Sequence, residues 1–193
     1  MKTIEEFSEL PNNKRVAVFI RHSDRDKIPD GEFGNEVPIN EKGIANAMVF
    51  GECLKGYRVN KAYVSPVLRC VQTAEKIRDG YGSHFEIINT KALGDPGLHI
   101  ENTKSAGDFY IKHGFHEMYK RFIAGDNAPG LYSAKEFSDR MTRFIESNTD
   151  NDGITLYVTH DGLVAFYDYC ITGKTYTKEN WVKYLNGMII VLD

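Results

Sequence analysis

The chain has 193 residues, enough for one domain with a sizeable core and hardly enough for two. Apolar residues make up 41% and charged residues 26%, the balance of a soluble globular protein, and no run approaches the length of a membrane span. The net charge of -3 leaves no basic footprint for a nucleic acid, and Cys53, Cys70 and Cys170 are too widely spaced for a disulfide framework or a zinc site, so they read as reduced, partly buried thiols.

The N-terminal stretch up to Pro11 is acidic and lacks the apolar core of a secretory signal. Within it, Thr3 and Glu6 have the spacing of a capping box, which predicts a short helix before Pro11; residues 1–14 are read as an extension to a single domain spanning 1–193. Residues 16–20 are nearly all apolar, as a strand buried on both faces must be, and they end in Arg21-His22. Residues 26–37, with Pro29, two glycines and four acidic residues, read as a loop. Asn40 caps a helix that runs to about residue 55, with Ile44, Ala47, Met48 and Gly51 as its packing face. A second strand covers 62–64, after which Ser65 is read as N-cap and Pro66 as the first residue of a helix to about 78. Residues 85–88 form a third strand and 93–101 a loop punctuated by Gly and Pro. Residues 105–123 read as helical with a break at Gly114. Ser133 opens a helix over 134–147 whose Phe137, Met141, Phe144 and Ile145 share a face. A turn at 150–153 leads into a strand over 154–159, a helix from about 163 to 170 and a last strand over 188–192. Strands alternating with helices place the chain in the α/β class.

Three strands end in the same manner. The first delivers Arg21-His22, the second Ser65-Pro66 with Arg69 one turn further, and the late one Thr159-His160-Asp161. In a mainly parallel sheet these ends share one edge, where open α/β sheets bind ligands. His22, His160, Arg21, Arg25 and Arg69 would then converge. Guanidinium groups match phosphate oxygens, and an imidazole can attack phosphorus. Taken singly, Arg21-His22 reads better as solvated charge at a strand end; its repetition at three strand ends is what points to a site.

These residues resemble the histidine phosphatase superfamily, with the phosphoglycerate mutase-like fold. The matching pieces are Arg21-His22, Pro38-Ile39-Asn40-Glu41-Lys42-Gly43, Ser65-Pro66 followed by Arg69-Cys70 and Gln72-Thr73-Ala74, and Leu156-Tyr157-Val158-Thr159-His160. They run in the family's order from Val16 to about Val164, most of the chain. The resemblance implies a three-layer α/β/α sandwich around a mostly parallel sheet, and a reaction without metal or other cofactor. His22 would attack phosphorus to give a phosphohistidine, its other ring nitrogen held by a backbone carbonyl. Arg21, Arg25 and Arg69 would hold the nonbridging oxygens, and His160 would add a donor. The implied activity is a cytoplasmic phosphomonoesterase acting on a phosphorylated small molecule or a phosphoprotein, with no nucleic-acid or membrane partner. A phosphoglycerate mutase-type phosphotransferase is the alternative, disfavoured because such mutases carry longer insertions. A phospho-ligand binding protein with decayed catalysis is a third reading. Nothing in the sequence sets the oligomeric state.

Two acids compete to protonate the leaving oxygen. His160-Asp161 and the spacing of His22 and Arg25 match the acid-phosphatase branch, in which the Asp after the second histidine is the donor. Asp95, in Leu93-Gly94-Asp95-Pro96-Gly97, matches the loop acid of the mutase-like branch. Motif adjacency favours Asp161. Their ordinary roles would be a helix cap for Asp161 and a turn for Asp95.

The chain also departs from the family pattern. Ser23 stands where the family has Gly, which predicts either strain at a positive φ or a hydroxyl turned into the phosphate site. Asp24 and Arg25 replace the usual residues that follow. With Asp26, Asp30, Glu32 and Glu36, Asp24 belongs to an acidic run read as a solvated loop. His84 is read as exposed and His99 as outside the pocket, and His113 and His116 lack partners at metal-ligand spacing. Phe109, Tyr110, Phe115, Tyr119 and Phe122 are read mainly as core.

Overall fold

In the computed structural model, which describes residues 14–29, 32–126 and 128–193, the first strand is β1, Arg15–Arg21. The capping box at Thr3 and Glu6, the rest of the extension up to residue 13, and Asp30 lie outside the described residues. The other elements are α1 (Glu41–Cys53), β2 (Val59–Val64), α2 (Leu68–Tyr81), β3 (Glu86–Asn89), α3 (Thr103–His113), α4 (Phe115–Ala124), α5 (Ala134–Asn148), β4 (Gly153–Thr159), α6 (Asp161–Thr172) and β5 (Gly187–Leu192). The strands form one sheet in the order β3-β2-β4-β1-β5. The first four are parallel, and β5 runs antiparallel on the edge of β1.

Alternation along β1 divides the core into two layers. Val16, Val18 and Ile20 join Ala62, Val64, Leu156 and Val158 under Ala47, Phe50, Cys70 and Ile77 of α1 and α2. Ala17 and Phe19 face the other way, into an aromatic cluster with Tyr119, Phe122, Phe137, Tyr157 and Phe166. The result is the expected three-layer α/β/α sandwich. Among the described residues, no helix is long and apolar enough to cross a membrane. All three cysteines are free, with Cys53 exposed, Cys170 partly buried and Cys70 buried.

Three local readings change. Helix α1 packs on a rotated face: Gly43, Ala47, Phe50 and Gly51 are buried, while Ile44 and Met48 are 37% and 40% exposed. Backbone contact between the two helices sets this rotation. A Cβ at Gly51 would land on the Ile77 carbonyl of α2, and one at Gly80 would land on that of Met48. Helix α2 begins at Leu68 with Val67 at its N-cap and no side-chain cap, so Ser65 and Pro66 lie ahead of it. Helix α6 starts earlier than the sequence suggests, at Asp161, whose carboxylate accepts from the Gly162 N–H. The break at Gly114 and the opening of α5 at Ser133 stand as read, and Ser133 and Glu136 form a capping box there.

Parallel registry brings the ends of β1, β2 and β4 to one edge. Arg21 pairs with Thr159 and Val64 with Val158. The ladder continues one residue further: the His22 N–H donates to the Thr159 carbonyl at 2.8 Å, and the Ser65 N–H to that of Val158 at 3.0 Å. Backbone pairing therefore fixes where the chain delivers His22, Ser65 and His160.

Candidate active site

His22 is 1% exposed at the floor of the edge. Its Nδ1 lies 2.8 Å from the Ser23 carbonyl, and Arg69 Nε–H donates to its Nε2 at 3.1 Å. A carbonyl and a guanidinium on opposite sides allow one tautomer, with the proton on Nδ1 and the lone pair on Nε2. Burial, followed by the charges of His160, Arg21 and Arg69, holds this imidazole well below the usual histidine range. At neutral pH it is therefore uncharged.

Arg69 is 6% exposed and bridges the two histidines. Besides His22, it reaches His160 Nδ1 with Nη2 at 3.2 Å and donates from Nη1 to the Gly34 carbonyl at 2.7 Å. A guanidinium can only donate, so His160 accepts at Nδ1 and carries its proton on Nε2, 2.9 Å from Ser65 Oγ. The two rings stand edge to face with centroids 5.6 Å apart. Burial and then Arg69 push His160 down to about 3. Gly94 closes over this corner: a Cβ there would sit 2.6 Å from Ser65 Oγ and 2.8 Å from His160 Nε2. Ser65 is thus a partner of the site histidine, not a helix cap.

Arg21 sits behind the floor. It is 8% exposed, with Nη2 3.1 Å from Asp161 Oδ2, Nη1 donating to the Val182 carbonyl, and its guanidinium 3.9 Å above the Tyr184 ring. It is not among the side chains lining the cavity, whereas Arg25 and Arg69 are. The buried Nε–H groups of Arg21 and Arg25 have no hydrogen-bond partner among the described residues. Asp161 is the first residue of α6 and also accepts from the Gly162 N–H at 2.9 Å. Burial raises its pKa, but Arg21, His160 and the Trp181 indole outweigh that and leave it below the usual carboxylate range. It is a charged carboxylate in this arrangement. Asp95 lines the cavity from its own loop, exposed, with φ at 56°, and makes no ion pair among the described residues.

The cavity has a volume of about 500 Å³. At its floor His22, Arg69 and His160 are joined by hydrogen bonds; Arg25, Asp95, His99 and Asp161 also line it, and we group its aromatic lining, Phe33, Tyr110, Phe115 and Trp181, as the mouth. His99 therefore lies in the pocket wall, contrary to its sequence reading, because the turn at Gly97 folds back against its ring. Burial pushes His99 down to about 4. Tyr110 and Phe115 line the mouth, while Phe109, Tyr119 and Phe122 are core as read. Trp181 and Tyr184 were not singled out from sequence. The one signal was that the chain's only Trp falls in a polar segment without periodicity.

Ser23 follows neither expectation. Outside glycine, positive φ among the described residues is confined to Asp95 and Leu185, so Ser23 is unstrained. Its hydroxyl donates to the Gly43 carbonyl at 2.8 Å, and its N–H donates to Thr73 Oγ1 at 3.0 Å, so the side chain ties β1 to α1. Asp24 likewise leaves the acidic loop: it is buried and held by Lys42 at 3.0 Å and Asn46 at 2.9 Å. His84 is exposed, His113 packs on Phe109, and His116 packs on Trp181.

The family description of the histidine phosphatase superfamily, branch 1, matches residues 17–193. The 2,3-bisphosphoglycerate-dependent phosphoglycerate mutase of Thermoplasma acidophilum is 27% identical over 184 residues, covering 93% of this chain and 87% of that protein. Among solved structures, phosphoglycerate mutase from Bacillus anthracis superposes with a TM-score of 0.62 at 20% identity, over 93% of this chain and 89% of that one. A mycobacterial glucosyl-3-phosphoglycerate phosphatase superposes with a TM-score of 0.54 at 18% identity, over 83% and 80%. At these identities the solved structures speak to the fold alone.

Proposed function

The chain belongs to the histidine phosphatase superfamily, and from that premise we propose that it is a metal-independent phosphomonoesterase working through a phosphohistidine on His22. The observation that carries this reading is the state of His22: neutral, with Nδ1 tied to the Ser23 carbonyl and Nε2 presented beside Arg69 at the cavity floor. A phosphate seated there takes over the Arg69 Nε–H as the Nε2 lone pair is committed to phosphorus. Arg25 and Arg69 hold nonbridging oxygens, their charge doing what a metal ion does elsewhere. Arg21 adds to the positive potential from behind the floor and fixes Asp161. The Nε2–P bond forms as the P–O bond to the leaving group breaks, and an acid protonates that oxygen. Water then attacks the phosphohistidine and inorganic phosphate departs.

Asp95 suits the proton donor better than Asp161 does. Asp161 is already ionised against Arg21. The Thermoplasma acidophilum relative is a mutase, and the resemblance to the mutase-like branch implies an acid in the loop that Asp95 occupies. Asp95 then serves as base when water attacks. Asp161 orients Arg21. The free cysteines support a cytoplasmic location.

A mutase reading has its own support in the Thermoplasma acidophilum relative. It predicts exchange of phosphate between isomers without net release. The experiment for the main reading is hydrolysis of an aryl phosphate in excess EDTA. Turnover should persist without metal and fall roughly a thousandfold or more in His22→Ala. Turnover that survives this substitution overturns the proposal.

A further inference from the structure

We infer that the ester taken by this cavity carries an uncharged aromatic or apolar leaving group, and that a second anionic substituent on the substrate is disfavoured. This rests on the phosphomonoesterase reading and names its substrate class.

The inference starts from where charge is and is not. Among the described residues the lining side chains include two arginines, Arg25 and Arg69, and no lysine, and Arg69 donates directly to His22. A bound phosphate engages them. Apart from these two arginines, the charged lining groups among the described residues are carboxylates, Asp95 and Asp161. The wall histidine, His99, is uncharged at neutral pH, and burial holds His116 at the mouth below its ordinary value. A substrate carboxylate above the phosphate would therefore meet acids or aromatic carbon without a cation, an unpaired charge out of water.

The mouth supplies the positive half of the preference. Phe33 is 50% exposed, which core packing does not account for. It stacks on Tyr110 with ring centroids 5.0 Å apart and planes at 18°. Phe115 and Trp181, edge to face at 5.8 Å, also line the cavity. Ile28 and Ile100 add to the apolar lining. Such a mouth gains by covering a flat apolar group and gives a polyol no partners for its hydroxyls.

The test compares esters of alkyl alcohols, so that leaving-group acidity is matched: naphthylmethyl phosphate, benzyl phosphate, glycerol phosphate and a phosphoglycerate. We expect kcat/KM to fall in that order, with naphthylmethyl phosphate ahead of glycerol phosphate by about 10- to 100-fold and ahead of the phosphoglycerate by more. Phe33→Ala should shrink the naphthylmethyl-to-glycerol ratio by about tenfold. Binding of two phosphonates to the wild-type protein reads the cavity without the reaction: naphthylmethylphosphonate should bind at least about tenfold more tightly than carboxyethylphosphonate. Turnover with equal or reversed preference overturns the substrate class and leaves the phosphatase reading standing. Absent turnover with the phosphonate preference intact overturns the phosphatase reading and keeps the apolar cavity. Equal phosphonate affinities overturn the inference whatever the turnover.

Discussion

The floor of the cavity is carried by strand ends: His22 and His160 follow β1 and β4 directly, and Arg69 lies in the first turn of the helix after β2. The mouth is carried by loops and helix surfaces: Phe33 between β1 and α1, Tyr110 on α3, Phe115 at the start of α4, and Trp181 between α6 and β5. His22 and Arg69 are nearly inaccessible, at 1% and 6%, while Phe33 is 50% exposed. The ladder leaves the floor little freedom, so its geometry serves reactivity. The mouth answers to no ladder and is free to diverge, so it sets specificity. Substitutions in the floor should cost rate for every substrate, and substitutions in the mouth should reorder substrates.

Asp95 is the sharpest way to break this division, because a loop residue is assigned a share of the chemistry. Asp95→Asn should slow an alkyl phosphate by about 10²- to 10⁴-fold. The loss should be much smaller for nitrophenyl phosphate, whose leaving group needs no proton. If Asp161→Asn shows that leaving-group dependence instead, the acid belongs to the strand-end set after all. Arg69→Lys tests the floor itself. A lysine keeps the charge but cannot face His22, His160 and a phosphate at once, so kcat/KM should drop about 100-fold with aromatic preference unchanged. A loss that depends on the leaving group would contradict the division.

The smallest effect concerns stability. His22, His99 and His160 all titrate below their ordinary 6.5 in the folded chain, His99 at about 4 and His160 at about 3. Below that ordinary value the unfolded chain binds protons that the native state does not. Their contribution is therefore complete above 6.5 and is lost as pH falls towards 4 and 3. Each histidine adds at most about 1.4 kcal/mol of slope per pH unit. Urea midpoints measured from neutral to mildly acid pH should decline, and less steeply in His99→Gln. A flat profile would mean that these rings are not held neutral.

Much of the floor was legible because strand ends announce themselves: an apolar run stops, and Arg21-His22 or His160-Asp161 follows. Helix α1 shows where legibility stopped. Two apolar stripes share Ala47 and Gly51, and only the closeness of the α1 and α2 backbones, through Gly51 and Gly80, selects between them. Ser65 looked like a cap because Ser-Pro has that form, yet His160, distant in sequence, claims its hydroxyl. Asp161 had the right neighbour for an acid, but its ion pair with Arg21 belongs to tertiary structure. His99 and Trp181 entered the cavity through loops whose course no periodicity encodes.

The central claim is a covalent phosphorus–nitrogen bond at His22 Nε2. The most direct measurement is rapid quench of the wild-type protein during turnover of a phosphate ester, followed by mapping of the modified peptide by mass spectrometry under alkaline conditions. The account predicts one phosphoryl group on His22, formed at least as fast as turnover and absent in His22→Ala. Phosphate on another residue, or steady turnover with no phosphorylated His22, would contradict it.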